Sequence, residues 1–159
     1  MHCFSRAVAV NPPSASFKLT RRQLWLGLIR KAENPVGFVP GMESSEIVER
    51  VKDGLIREAV YQGSKIRERV TIFEDHAIDF QQIETSNVGS VANFVSGDDD
   101  QLVLTFTFAL RFPGVPEESP EEQRQGKDAE EAFLPAVAHT VSAIREMAVR
   151  GELGEAAKT

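Results

Sequence analysis

The chain of 159 residues has little cysteine, little histidine and no long apolar run, and each shortage excludes a class of protein. Because Cys3 is its single cysteine, an internal disulfide and a cysteine-based metal cluster are excluded. The histidines, His2, His76 and His139, lack the spacing of metal ligands, so no metal site is expected. No apolar run approaches the ~20 residues that a membrane-spanning helix needs. The N-terminus also lacks the charged start and apolar block of a secretory signal.

Positive charge is scarce as well, since the chain has 18 lysines and arginines but 24 acidic residues, which gives a net charge of −6. This balance argues against a nucleic-acid backbone or an anionic membrane as the main partner. Hydrophobic residues make up 42% of the chain and include ten phenylalanines, which is enough for a core. We expect a cytoplasmic monomer or homodimer, with one domain over residues 1–152 and a flexible tail over residues 153–159.

A long C-terminal helix is predicted over residues 119–151. Ser119 is suited to the N-cap, Pro120 to the first helical position and Glu122 to a capping box. Pro135 lies opposite the apolar side of this helix, so we expect a bend there. The apolar residues follow a period of 3.6, which is typical of a helix with one buried face: Phe133, Ala136, Val137, Val141, Ile144, Met147 and Ala148.

The residues before that helix predict one strand, two short helices and six further strands. The first strand covers residues 2–10, and a capping box of Thr20 and Gln23 begins the first helix. Residues 35–40 are expected to form a second helical turn. Strands joined by short turns pair antiparallel, so we predict an α+β fold in which a curved, seven-stranded sheet wraps around the C-terminal helix. The six later strands are predicted over residues 46–52, 55–61, 65–73, 77–85, 89–95 and 101–112.

Several short motifs occur in a fixed order along most of the chain: Leu19–Trp25, Phe38–Pro40, Arg57–Val60, Arg67–Val70 and Leu104–Phe108, after an opening Val10–Pro13. Together with the order of elements, they resemble the helix-grip fold of the START and birch-pollen-allergen (SRPBCC) superfamily. The closer resemblance is to its AtaL-like subgroup, a domain of unknown function, and the opening resembles the fungal branch. The resemblance implies an apolar or amphipathic small molecule held between sheet and helix. Some members of the superfamily are cyclases or dehydratases of polyketides, and many only bind.

Glu68 is the most informative single residue. It interrupts an otherwise apolar alternation on one face of its strand, formed by Ile66, Val70 and Ile72. A carboxylate buried among aliphatic side chains needs a partner or becomes protonated. If the hairpin turns at Gln62-Gly63, Arg57 lies directly opposite Glu68 and an ion pair is expected.

The strand register remains open from sequence alone. A turn shifted by one residue would instead pair Glu58 with Arg69 on the outer face. The next hairpin, turning at residues 74–76, is expected to place Gln82 beside Glu68.

These residues predict a small polar cluster within an apolar cavity, which is the usual composition of a ligand site. A structural ion pair that closes the sheet interior is the alternative. We expect Glu68 and Arg57 to be catalytic. For the Trp25 indole and for Phe106 and Phe108 of the last strand, the alternative to ligand binding is a place in the hydrophobic core. The expected ligand-binding residues are Gln82, Asn93, Trp25, Phe80, Leu104, Phe106, Phe108, Phe133, Val137 and Val141.

Three functions are consistent with this pattern. The first is a cofactor-free enzyme of natural-product biosynthesis that promotes cyclisation, cycloaddition or isomerisation of a polyketide- or terpenoid-like molecule. The second is a carrier or sensor of a hydrophobic small molecule. The third is an interaction module whose cavity is filled by its own side chains. The resemblance to the fungal subgroup favours the first function by analogy alone.

Overall fold

Seven strands and three helices are present in the computed structural model, which describes residues 1–83 and 89–154. The helices are α1 (Arg21–Glu33), α2 (Pro120–Phe133) and α3 (Pro135–Val149). The strands are β1 (His2–Ala9), β2 (Met42–Val51), β3 (Gly54–Tyr61), β4 (Ser64–Phe73), β5 (Ala77–Ile83), β6 (Ser90–Ser96) and β7 (Val103–Leu110).

All seven strands belong to one antiparallel sheet with the order β1-β7-β6-β5-β4-β3-β2. The strands β2 to β7 therefore form the predicted meander, and β1 joins its far edge beside β7. Helix α3 packs on β1 and β7 and also on α1, so the helices cover one face of the sheet. The buried apolar residues lie between these helices and the sheet, which confirms the predicted α+β class.

The register of the hairpin between β3 and β4 places the charged residues Arg57 and Glu68 opposite each other. Gln62 and Gly63 both have positive φ angles, 47° and 77°, as a two-residue hairpin turn of this twist requires. Arg57 is consequently paired with Glu68 across the two strands. The alternative pairing of Glu58 with Arg69 does not occur, because Glu58 lies opposite Arg67.

Helix α1 begins with the predicted capping box, in which Thr20 and Gln23 each accept a hydrogen bond from the other's backbone N–H group. The prediction of a second short helix after it is wrong. Residues 35–40 form a turn in which the N–H groups of Phe38 and Val39 both donate to Pro35 O. Gly37, within this turn, has a φ of +86°, a left-handed conformation that a continuing helix does not accept.

The long C-terminal helix runs from α2 into α3 and is divided at Leu134. Ser119 caps its start by accepting a hydrogen bond from the Glu122 N–H group at 3.1 Å. At Pro135, where we expected a bend, the hydrogen-bond ladder is interrupted, because proline has no N–H group to continue it. Leu134 keeps helical angles, so the chain continues in the same sense through the division.

The limits of some predicted elements differ from those observed. Strand β7 ends at Leu110, because its neighbour β1 begins at His2, opposite Leu110, and offers no partner beyond it. The predicted tail begins at residue 153, but Leu153 is buried in the core. Residues 155–159 and the predicted turn near Ser86-Asn87 lie outside the described residues. Within the described ranges, none of the helices has the length and apolar character to span a bilayer.

Helices α1 and α3 pack tightly against each other at Gly27. A Cβ atom added there would lie 2.5 Å from Cγ1 of Ile144, closer than any packed contact. We predict that Gly27→Ala destabilises the fold by ~1–3 kcal/mol, as overpacking does. We expect this loss of stability even though alanine is favoured over glycine within helices by ~1 kcal/mol. Urea denaturation measures the free energy of unfolding.

The double variant Gly27→Ala/Ile144→Ala provides the control for this contact. Removing the isoleucine side chain removes the clash, so the costs of the two substitutions should sum to more than the cost of the double variant. A stabilised Gly27→Ala protein would contradict the close helix contact.

Candidate functional site

Two adjoining cavities lie between the inner face of the sheet and the helices. The inner cavity has a volume of about 140 Å³, and the outer one has a volume of about 220 Å³. The outer cavity extends toward the segment that follows β7. The two are continuous along a shared wall of six residues: Glu68, Phe80, Gln82, Val91, Leu110 and Phe133.

The wall of the inner cavity is mainly apolar and carries a few polar side chains, namely those of Lys31, Arg57, Glu68 and Gln82, with Tyr61 at one side. They come from α1, β3, β4 and β5, so four separate elements converge there. The apolar part of the wall consists of Val39, Met42, Ile66, Phe80, Val91, Phe106, Phe108, Leu110, Phe133 and Ala136. Mostly apolar walls with a few oriented polar groups are typical of small-molecule sites.

A buried ion pair joins Arg57 to Glu68. The guanidinium Nε and Nη2 atoms lie 2.8 and 2.7 Å from the same oxygen, Glu68 Oε2. The third nitrogen, Nη1, donates to Lys31 O at 3.0 Å and to Ala32 O at 2.7 Å. These carbonyls belong to the last turn of α1, where backbone acceptors lack helical partners. All three guanidinium nitrogens are thus engaged within the protein, and Arg57 is held rigidly.

The second carboxylate oxygen of Glu68 takes no part in the ion pair, and Glu68 lines both cavities. Within residues 1–83 and 89–154, neither Oε1 of Glu68 nor the side-chain amide of Gln82 has a hydrogen-bond partner. The two residues are paired across β4 and β5, as predicted, and both line the two cavities. One acceptor and one amide are therefore presented side by side to anything bound there.

Lys31 is a charged residue of the cavity wall that the sequence pattern did not lead us to predict. Its side chain is only 4% exposed, and Nζ donates to Asn93 Oδ1 at 2.9 Å. The same nitrogen lies 4.3 Å from the ring centroid of Phe80 and 4.9 Å from that of Phe106. Burial, with the nearby Arg57 guanidinium adding to it, lowers the pKa of the Lys31 amine from 10.5 to about 7.

A signal for Lys31 was present in the sequence. The residue follows Leu24 by seven positions and Leu28 by three, so it belongs to the buried stripe of α1. Like Glu68, Lys31 is a charged residue within an apolar pattern. Other cavity residues that were missed are Val39, Met42, Tyr61, Ile66, Val91, Leu110 and Ala136, which carry no such signal.

Half of the predicted ligand residues line the cavities, and half do not. The first group consists of Gln82, Phe80, Phe106, Phe108 and Phe133, together with the predicted catalytic pair Arg57 and Glu68. The second group is buried in the core without lining either cavity: Trp25, Asn93, Leu104, Val137 and Val141.

Two members of this second group have specific polar contacts that explain their placement. The Trp25 indole Nε1 donates to Glu74 Oε1 at 3.1 Å, away from the cavity. Asn93 lies behind the wall, where its amide oxygen accepts the hydrogen bond from Lys31.

The sheet order, the covering helices and the apolar cavity between them define the helix-grip fold of the START and birch-pollen-allergen superfamily. Within it, this chain belongs to the AtaL family, described as acetylaranotin biosynthesis cluster protein L. The family model matches residues 4–151, nearly the whole chain. The resemblance noted in the sequence is therefore confirmed. No curated protein matches the chain.

Several solved structures share the fold at low sequence identity. The Zhui aromatase/cyclase from Streptomyces sp. R1128 is 18% identical, with a TM-score of 0.64 and 94% of each chain covered. The di-domain ARO/CYC protein StfQ from the steffimycin pathway is 12% identical, with a TM-score of 0.70 over 94% of this chain and 52% of its own. A START superfamily protein from Mycobacterium smegmatis is 15% identical, with a TM-score of 0.61 over 89% of this chain and 98% of its own.

Proposed function

We propose that this protein binds an apolar, polyketide- or terpenoid-like small molecule in the two adjoining cavities and promotes its cyclisation, cycloaddition or isomerisation without a cofactor. The observation that carries the proposal is the group of polar side chains on an apolar wall, above all the free oxygen of Glu68 beside the Gln82 amide. The two cavities together reach the lower end of the ~300–1,000 Å³ range of small-molecule sites. Membership of a family named for a biosynthetic gene cluster supports a biosynthetic role.

The proposed mechanism depends on which polar groups have hydrogen-bonding atoms that no protein group already uses. Because Arg57 donates with all three nitrogens, it acts as a positioning residue that fixes the Glu68 carboxylate. Glu68 Oε1 accepts a hydrogen bond or a proton from the ligand, and the Gln82 amide donates to a carbonyl oxygen. The phenylalanine walls fold the ligand into one shape and exclude water, so the reacting atoms are held close together.

A carrier or sensor that binds the same ligand without changing it is the second candidate. The buried ion pair favours it, because the pair connects α1 to the sheet and has a structural use without any chemistry. The distinction is whether the ligand leaves the protein altered. An enzyme converts many molecules per chain, whereas a carrier retains at most a stoichiometric amount.

Glu68→Gln is expected to remove the conversion. The gene would be deleted in its source organism and complemented with the wild type, Glu68→Gln or Glu58→Gln, and the metabolites compared by liquid chromatography and mass spectrometry. Loss of a positioned acid or base lowers a rate by ~10²–10⁴-fold, so Glu68→Gln should accumulate the precursor. Glu58→Gln makes the same change on the outer face, where Glu58 lies 3.6 Å from Arg67, and should restore the product.

Two outcomes would contradict parts of this proposal. Full product from the Glu68→Gln strain, with folded protein confirmed by circular dichroism, would remove Glu68 from the site. An unchanged product profile in the deletion strain, with a ligand retained by the purified protein in native mass spectrometry, would identify a carrier.

A further inference from the structure

We propose that Lys31 is a covalent nucleophile of the cavity, whose amine condenses with the carbonyl group of an aldehyde or ketone ligand to form a Schiff base. This inference rests on the proposed function, because it concerns the same cavity. It also narrows the ligand to an apolar molecule that carries a reactive carbonyl group.

The position of Lys31 is the first argument. It lies in the last turn of α1, and its side chain forms part of the inner cavity wall. Its main chain is fixed, because Arg57 Nη1 donates to the Lys31 carbonyl oxygen at 3.0 Å. The amine is held between the faces of Phe80 and Phe106. A ligand stacked on these rings would have its carbonyl group beside the nitrogen.

The charge environment is the second argument. Nζ of Lys31 forms no ion pair with a carboxylate of the described residues, and its hydrogen-bond acceptor is the neutral Asn93 amide. The nearest acidic side chain of the cavity, Glu68, is already paired with Arg57. Burial and the Arg57 charge both favour the neutral amine, so a large fraction of Lys31 is unprotonated and nucleophilic near neutral pH.

The third feature is the neutral amide of Asn93, which holds the amine. Asn93 Nδ2 is fully buried and has no hydrogen-bond partner among the described residues. The Oδ1 atom of the same amide lies 2.9 Å from Nζ and accepts its hydrogen bond. Buried amide donors without partners are rare, because each costs ~1–3 kcal/mol. Because Asn93 lies behind the cavity wall, its amide is placed to orient the Lys31 amine and does not contact the ligand itself.

The proposed reaction balances with water as its only by-product. The Lys31 lone pair forms a bond to the carbonyl carbon, and the electrons of the C=O π bond move to oxygen. A proton passes from nitrogen to that oxygen and gives a carbinolamine. The hydroxyl group then leaves with a proton as water, and a C=N bond replaces the C–O bond. Protonation of this imine acidifies the neighbouring C–H bonds, which favours carbon–carbon bond formation within the ligand.

Reductive trapping tests this reaction directly. Folded protein would be incubated at pH 7 with benzaldehyde and sodium cyanoborohydride, and the adducts mapped by peptide mass spectrometry. Lys31 is expected to be labelled at least ~10-fold faster than the exposed lysines, which are almost fully protonated at this pH. The comparison residues are the exposed Lys18, Lys52, Lys65 and Lys127.

Matched variants connect the labelling to the cavity. Lys31→Arg keeps a cation but cannot form an imine, so the fast adduct should disappear. Ala136→Phe fills the cavity wall without touching the lysine and should slow labelling at least ~10-fold if the site is reached through the cavity. Ala138→Phe makes the same change on the exposed side of α3 and should leave the labelling rate unchanged.

Benzyl alcohol, which has the shape of the probe but no carbonyl group, separates this inference from the proposed function. Its binding would be followed by chemical-shift changes of the cavity residues in NMR spectra. If benzyl alcohol binds in the cavity and Lys31 is labelled no faster than exposed lysines, the nucleophile is overturned and the ligand site stands. If benzyl alcohol does not bind and Lys31 is not labelled, both are overturned.

Discussion

Replacing Arg57 with methionine is expected to destabilise the protein by ~3–5 kcal/mol, the cost of breaking a buried ion pair from one side. The substitution leaves the Glu68 carboxylate, a residue only 8% exposed, without its partner. It also removes the donor from the carbonyl oxygens of Lys31 and Ala32 at the end of α1. Urea denaturation at pH 7, followed by circular dichroism, measures the change in the free energy of unfolding.

Arg69→Met is the matched control for this prediction. Arg69 lies on the neighbouring strand and pairs with Asp53 at 2.7 Å, but its side chain is 37% exposed. Exposed pairs contribute ~0–1 kcal/mol, so this variant should remain close to the wild type. The double variant Arg57→Met/Glu68→Met should recover much of the stability, because no buried charge is left unpaired. An Arg57→Met protein as stable as Arg69→Met would show that Arg57 does not hold this part of the fold together.

The pH dependence of stability is expected to change when Lys31 is replaced by methionine. The pKa of Lys31 is about 7 in the folded protein and 10.5 in its ordinary environment. Between these values the unfolded chain binds a proton that the folded protein does not, so stability rises with pH. The slope for one such group approaches ~1.4 kcal/mol per pH unit. Below pH 7 both states are protonated and the contribution of Lys31 becomes constant.

Denaturation of both proteins at intervals from pH 6 to pH 9.5 isolates this contribution. The wild type should gain ~1 kcal/mol per unit above pH 7 relative to Lys31→Met, and the two curves should be parallel below pH 6.5. Lys65→Met, which removes an exposed lysine, should follow the wild type throughout. Parallel curves for Lys31→Met and the wild type over the whole range would mean that the buried amine stays charged.

The sheet and the Arg57–Glu68 pair could be predicted from the sequence because both depend on local patterns. Alternation placed Glu68 on the inner face, and the Gln62-Gly63 turn suggested the register. Sequence left a one-residue shift open, since it does not show whether a non-glycine residue accepts a positive φ. In the folded protein Gln62 does so, with a φ of 47°, and Arg57 is brought opposite Glu68.

The remaining cavity residues could not be predicted from local patterns, because the cavity depends on how separate elements pack together. Lys31 reaches it from α1 and Met42 from the start of β2. Leu104 and Val137 have the same inward pattern as the cavity residues, but the core packs against them completely. Periodicity identifies the buried face of an element, whereas the difference between a filled and an open region is set by side chains distant in sequence.

The contact between Arg57 and the end of α1 has a consequence for the order of folding. The carbonyl oxygens of Lys31 and Ala32 receive their donor from a residue 25 or 26 positions later in the chain. The C-cap residue, Asn34, has an extended backbone and donates its N–H group to Arg30 O, so it satisfies neither of these two oxygens. These two carbonyl oxygens therefore receive the Arg57 donor only when β3 packs against the end of α1. The same packing buries Lys31, so its amine loses proton affinity as the helix and the sheet come together.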